Sequence, residues 1–276
     1  MTISETPAKI DTAFRFESYG VRVEISSSEP EIVVRAEAVA RKSLLGDLRP
    51  IRGKSVDHRF DLQLAKGSRY KMIIDGDEIA RGRSARKFFK FLDSMIRVTI
   101  GEYAVDRVFL HAGVVSWKGK AIIMPADSFQ GKTTLTAELV KNGAVYVSDE
   151  FAILDAHGMV HPFARPLSMR KDDAGYTPYE LTPAELNGTF ATEPVPVGMI
   201  LLTGYKPGAR WSPKMLTPGE GVLKMMPFAL SLRYKPEFSL KVLNYVASRA
   251  IIISSRRGTA ENFVKTLLNF VDKHVN

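Results

Sequence analysis

Three groups of residues have the types and spacing to do chemistry on a phosphate: His111, the run Gly131-Lys132-Thr133, and the adjacent acids Asp149-Glu150. Backbone amides at the start of a helix hold polyphosphate oxygens, because they converge without bulk and the helix N-terminus carries partial positive charge. A lysine in that loop reaches the β- and γ-phosphates, and the hydroxyl after it binds Mg²⁺, as in a Walker A loop. A carboxylate facing the loop holds metal or accepts a proton from an attacking hydroxyl. The candidate phosphate contacts are therefore Ser128, Phe129, Gln130, Gly131, Lys132, Thr133 and Thr134, and the candidate metal ligands are Thr133, Asp149 and Glu150. Each group alone has a plainer reading: a strand-to-helix turn with a solvated lysine, and a polar turn between two strands. Two residues depart from the loop pattern. Ala126 stands where the motif has Gly, and Asp127 is an anion that has to point outward if the loop is to hold anions.

The surrounding elements are those such a loop needs. Residues 121–124 form a short apolar run that predicts a buried strand. Leu135, Leu139 and Val140 give the stripe of a helix that stops at Asn142-Gly143. Residues 144–147 predict a second strand that delivers Ser148, Asp149 and Glu150. Strand, loop, helix, strand and paired acids together read as a nucleotide site.

Upstream, residues 1–83 read as strand-rich, with alternating apolar and polar residues at 21–25 and 59–64. Residues 31–34 and 70–74 are further strand candidates, the latter turning at Asp75-Gly76, and the sheet is expected to be antiparallel. His58 is expected on its surface. A helix over 84–103 carries Phe88, Leu92, Met95, Ile96 and Thr99 on one face. A soft boundary near residue 105 separates a β-rich N-terminal part (1–105) from a catalytic part (106–276). Downstream, Arg165 and Arg170 have the planar guanidinium that grips phosphate oxygens. Residues 171–196 read as a loop or lid, 197–202 and 250–254 as core strands, and 216–230, 238–247 and the stretch after Thr259 as helical. Trp211 is expected to anchor a loop.

The block over about 108–155 resembles the catalytic core of HPr kinase/phosphorylase, and more closely the HPr-kinase-related proteins. The likeness lies in His111-Ala112, the strand at 121–124, the loop 126–133, the helix at 134–141 and the pair Asp149-Glu150. It implies an α/β fold with an HPr-kinase-like P-loop core and an ATP- and Mg²⁺-dependent kinase. Asp149 would be the base on the acceptor hydroxyl, His111 would tune it, and Lys132 and Thr133 would touch phosphate and metal. Arg170 matches the arginine of the family's downstream signature, whereas Ser168 stands where that signature has a metal-binding Glu. Glu150 replaces the usual second Asp. Asp172 or Asp173 could substitute as acids, and these departures count against phosphorylase activity and against HPr itself as substrate. The acceptor is expected to be a Ser or Thr of a protein or peptide, or a small molecule. Two alternatives remain: a small-molecule kinase of the shikimate or gluconate type, and a non-catalytic nucleotide-binding module. HPr kinases assemble as oligomers, so a homo-oligomer is compatible with the resemblance.

Composition narrows the class. With 276 residues, no cysteine and a formal charge of +9, the chain excludes disulfide frameworks and thiolate chemistry. No apolar run is long enough to span a membrane, and the first residues lack a signal-peptide core, so a cytoplasmic protein with no membrane partner is expected. The basic residues are dispersed, with small clusters at 81–87 and 255–257. They read as solvated surface and a field favouring an anionic substrate, not as a nucleic-acid module.

Overall fold

A computed structural model describes residues 12–65, 69–127, 130–170 and 177–275. The chain divides into two compact units, Met1–Val105 and Asp106–Asn276, and its secondary structure is mixed α/β. No helix among the described residues is long and apolar enough to cross a membrane.

In the first unit, β1 (Thr12–Ser18) and β2 (Val21–Ser27) form a hairpin, followed by α1 (Pro30–Leu44). Residues 31–34, expected as a strand, lie inside this helix. Pro30 starts it, where the missing N–H costs nothing. Ile32, Val33, Ala36, Ala40 and Leu44 then recur at helical spacing and are buried. β3 (Arg49–Pro50), β4 (His58–Ala65), β5 (Arg69–Ile74), β6 (Asp77–Gly82) and α2 (Ala85–Tyr103) complete the unit. Ser84 caps α2 by accepting the Lys87 amide.

The sheet order is β3-β1-β2-β4-β5-β6, and β2 pairs with β4 in parallel. The sheet is therefore mixed, not antiparallel throughout, because α1 carries the chain across between those two strands. His58, expected at the surface, is only 9% exposed, with Nδ1 2.7 Å from Asp75 and its ring against Tyr103.

The second unit opens with β7 (Val108–Trp117), β8 (Lys120–Pro125) and α3 (Lys132–Lys141). β9 (Val145–Ser148), β10 (Phe151–Leu154), β11 (Met159–His161), β12 (Leu167–Arg170) and β13 (Pro178–Leu181) follow. β14 (Val195–Tyr205), β15 (Lys214–Met215), α4 (Pro218–Met225), α5 (Pro236–Ala247), β16 (Ile251–Arg257) and α6 (Ala260–His274) complete it. The stretch 171–196, expected as a loop, contains β13, which pairs with β12 in a separate two-stranded ribbon. Trp211 packs on Phe263 and Phe270, as a loop anchor does.

The main sheet runs β11-β10-β7-β8-β14-β16-β15, with β9 also on β7 and β11 also on β14. Its centre, β8-β14-β16, is parallel and buried on both faces. Along these strands alternate residues enter opposite cores. Ile123, Ile200, Leu202 and Ile252 join Val242, Leu243 and Val246 of α5. Ile122, Met199, Leu201 and Ile253 join Leu135 and Leu139 of α3 and Phe263 and Leu267 of α6. Covering both faces explains why these strands read as unbroken apolar runs. It also brings the C-terminal ends of β8, β14 and β16 to one edge, where the loop 126–131 begins.

Candidate functional site

The acids reach this edge through an interruption in a strand. β9 pairs with β7 at Val114↔Ser148, and β10 pairs with the same strand at His111↔Phe151. Between them Asp149 and Glu150 lie opposite Ala112-Gly113, and the Ala112 amide donates to the Glu150 carbonyl (3.1 Å). Ser148 shapes the kink: its buried hydroxyl accepts the amides of Glu150 (3.2 Å) and Phe151 (3.1 Å). A serine accepting forward amides favours a turn over continued pairing, which frees the acids to face α3.

α3 begins at Lys132 directly after Gly131, whose left-handed backbone (φ 75°) glycine adopts without strain. Among the described residues no side chain caps this helix. The first-turn amides therefore remain open to an external acceptor. The Gly131 carbonyl accepts Leu135 N (3.1 Å) and Nη2 of Arg257 (2.7 Å), and the Gln130 carbonyl accepts Tyr205 N (3.3 Å). The ends of β14 and β16 thus fix the loop by its carbonyls. The Gln130 amide donates inside the loop to Asp127 O (3.4 Å). Ser128 and Phe129 lie outside the described residues, as do Asp172 and Asp173.

Lys132 and Asp149 meet over Gly113, and His111 joins them through Lys132. A Cβ on Gly113 would stand 2.6 Å from Thr136 Oγ1, 3.1 Å from Lys132 Cγ and 3.5 Å from Asp149 Oδ1. Lys132 Nζ donates to His111 Nε2 (2.7 Å). Burial and the Lys132 charge hold His111 below its ordinary value, so it is neutral and free to accept. Burial also lowers Lys132, against the pull of Asp149, Glu150 and Asp127. Asp127 is exposed, yet it acts on both Lys132 and His111. Its charge therefore reaches the site, although an anion in such a loop is expected to point outward.

Asp149 is the most perturbed acid here. Its Oδ1 is sealed from solvent and accepts no hydrogen bond among the described residues. Burial pushes the carboxyl up to about 6, opposed by the Thr133 hydroxyl, the Lys132 charge and the Thr136 hydroxyl. A buried oxygen without a donor is costly and calls for a ligand, a metal or a catalytic role.

The other expected residues are less central. Thr134 is exposed in the first turn of α3. Glu150 faces Arg165, whose Nε is 3.8 Å from its carboxylate. Arg170 sits at the exposed end of β12, paired with Pro178 in the ribbon. The guanidinium that meets the acidic pair is thus Arg165, five residues earlier.

Arg257 belongs to the cluster 255–257, which by its composition reads as solvated surface. It is 2% exposed and donates to the Gly131 and Gly258 carbonyls. A basic residue closing a parallel core strand was the available signal. Thr136 and Gly113 carried no signal, because their importance lies in how closely α3 crosses β7. No protein-family model matches the chain, and no curated protein matches it.

Proposed function

We propose that this chain is an ATP-dependent phosphotransferase of the HPr-kinase-related kind, with a P-loop core, which moves the γ-phosphate to a hydroxyl. The observation that carries the reading is the Asp149 carboxylate, unpartnered at Oδ1 and raised to about 6, beside Lys132 at an uncapped helix N-terminus. Its place at the C-terminal ends of parallel strands is where open α/β sheets bind ligands.

The residues fit Mg²⁺ carried by a nucleotide. Such an ion keeps several waters and needs only one or two protein oxygens besides phosphate. Asp149 and the Thr133 hydroxyl supply them, and among the described residues no group of three acids or histidines is assembled to hold an ion unaided. When bound, Mg·ATP supplies the phosphoryl group and neutralises its oxygens.

The chain's own residues supply position and proton transfer. Lys132 and the open amides of α3 hold anionic oxygens. Asp149 accepts the acceptor's proton, and a base near 6 is ionised at neutral pH yet basic enough to take it. Neutral His111 accepts from Lys132 and so fixes where the ammonium waits. Arg165 offsets Glu150, leaving the site less anionic for an incoming polyphosphate.

A nucleotide-binding module without catalysis is the second reading, favoured by the Glu150–Arg165 contact, which engages the second acid. Labelled γ-phosphate ATP and Mg²⁺ in a source-cell lysate separate the two. Transfer by wild type, lost in Lys132→Ala and Asp149→Asn, supports the kinase. Equal labelling with all three proteins removes it, and ATP-induced thermal stabilisation without transfer selects the module.

A further inference from the structure

A cleft of about 440 Å³ is lined by Asp127 and Gln130 of the loop, Thr203 of β14, Ser254 and Arg256 of β16, and Phe228. Lys224 of α4 also lines it, whereas Lys132, His111 and Asp149 do not. We propose that this cleft is a separate subsite for the phosphate or carboxylate group of a small organic molecule.

The charges come first. Lys224 and Arg256 are exposed, and neither forms an ion pair with a carboxylate among the described residues. Two unneutralised cations in one concavity draw an anion, and a planar guanidinium grips two oxygens of a carboxylate or phosphate. The second observation is independent of charge. Thr203 Oγ1 is buried with no hydrogen-bond partner among the described residues, and Thr203 belongs to this lining. A sealed hydroxyl without a partner, in a residue of the cleft wall, gains one when its side chain turns to an acceptor oxygen in the cleft.

Asp127 repels an anion along the loop wall, which leaves the wall built by β16 and α4 as its place. Phe228 and Leu202 give the cleft an apolar side for the molecule's body. Its volume is that of a small-molecule site. The subsite does not depend on the phosphotransfer reading; an anion held here comes either from a nucleotide's own phosphates or from an acidic acceptor.

Calorimetric titration of inorganic phosphate into full-length Lys132→Ala protein tests it, since that background removes the lysine of the other candidate anion site. Phosphate binding should persist there. Adding Arg256→Gln should weaken it about tenfold or more, and adding Thr203→Val, which keeps shape and removes the hydroxyl, several-fold. No phosphate binding by Lys132→Ala overturns the subsite, as does unchanged binding on adding both substitutions. Thr203→Val keeps the test informative if Arg256→Gln fails to fold. With saturating ATP, loss of the phosphate signal assigns the anion to the nucleotide, and its survival assigns it to a second ligand. Absence of phosphotransfer in wild type would leave these results standing.

Discussion

Asp149→Asn should gain stability relative to wild type as pH rises. The Asp149 carboxyl is raised from 3.8 to about 6 in the folded chain, chiefly by burial. The native state therefore holds this proton more tightly than the unfolded chain, and wild type loses stability as pH climbs between those two values. At about 1.4 kcal/mol per pH unit, the loss comes to about 3 kcal/mol and is complete above roughly pH 7. Asparagine has no proton to give up. Its amide, facing a spot with no partner, adds an offset of about 1–3 kcal/mol that does not vary with pH. The informative quantity is the change in the mutant–wild-type difference between about pH 4 and about pH 7.5. Urea denaturation at both values measures it. A gain of about 2.4 kcal/mol in favour of the mutant is expected, because the unfolded carboxyl is already more than half ionised at pH 4. A flat difference, or one that shifts toward wild type, would refute the claim that burial dominates this carboxylate.

Gly113→Ala forces a methyl to 2.6 Å from Thr136 Oγ1 and should cost about 1–3 kcal/mol. Its urea midpoint should fall, together with any stabilisation by ATP. Arg257→Gln strips the Gly131 carbonyl of its 2.7 Å donor and should cost about 1–3 kcal/mol, read the same way. If Asp149 is the base, kcat/KM should drop about tenfold per pH unit below roughly pH 6, and a profile flat to about pH 5 would dismiss it. Leu139→Ala, in the core between α3 and the sheet, should lose about 2–5 kcal/mol in chemical denaturation.

What the sequence disclosed follows from range. Periodicity and end signals are local, so β8, α3, α2 and β16 were legible from apolar runs, the one-sided apolar face of 84–103 and the Asn142-Gly143 stop. At 31–34 a four-residue apolar patch fits strand and helix alike. The longer spacing through Leu44 and the starting Pro30 decide for helix. The parallel β2–β4 pairing depends on that missed crossover. In the site, the residues contiguous with the loop were legible because their types carry the chemistry. Arg257 was hidden because its partner, the Gly131 carbonyl, is contributed from across the sheet. Arg165 and Arg170 looked equivalent as residue types. Only the path of the chain after β11 sets one against Glu150 and sends the other to the ribbon end.

A structure of the chain with Mg²⁺ and a non-hydrolysable ATP analogue bears most directly on the central claim. Lys132 Nζ, now 2.7 Å from His111 Nε2, should leave it for a phosphate oxygen, with the terminal phosphate facing Asp149. An analogue bound elsewhere, with the Lys132–His111 contact intact and Asp149 Oδ1 still without a partner, would contradict it.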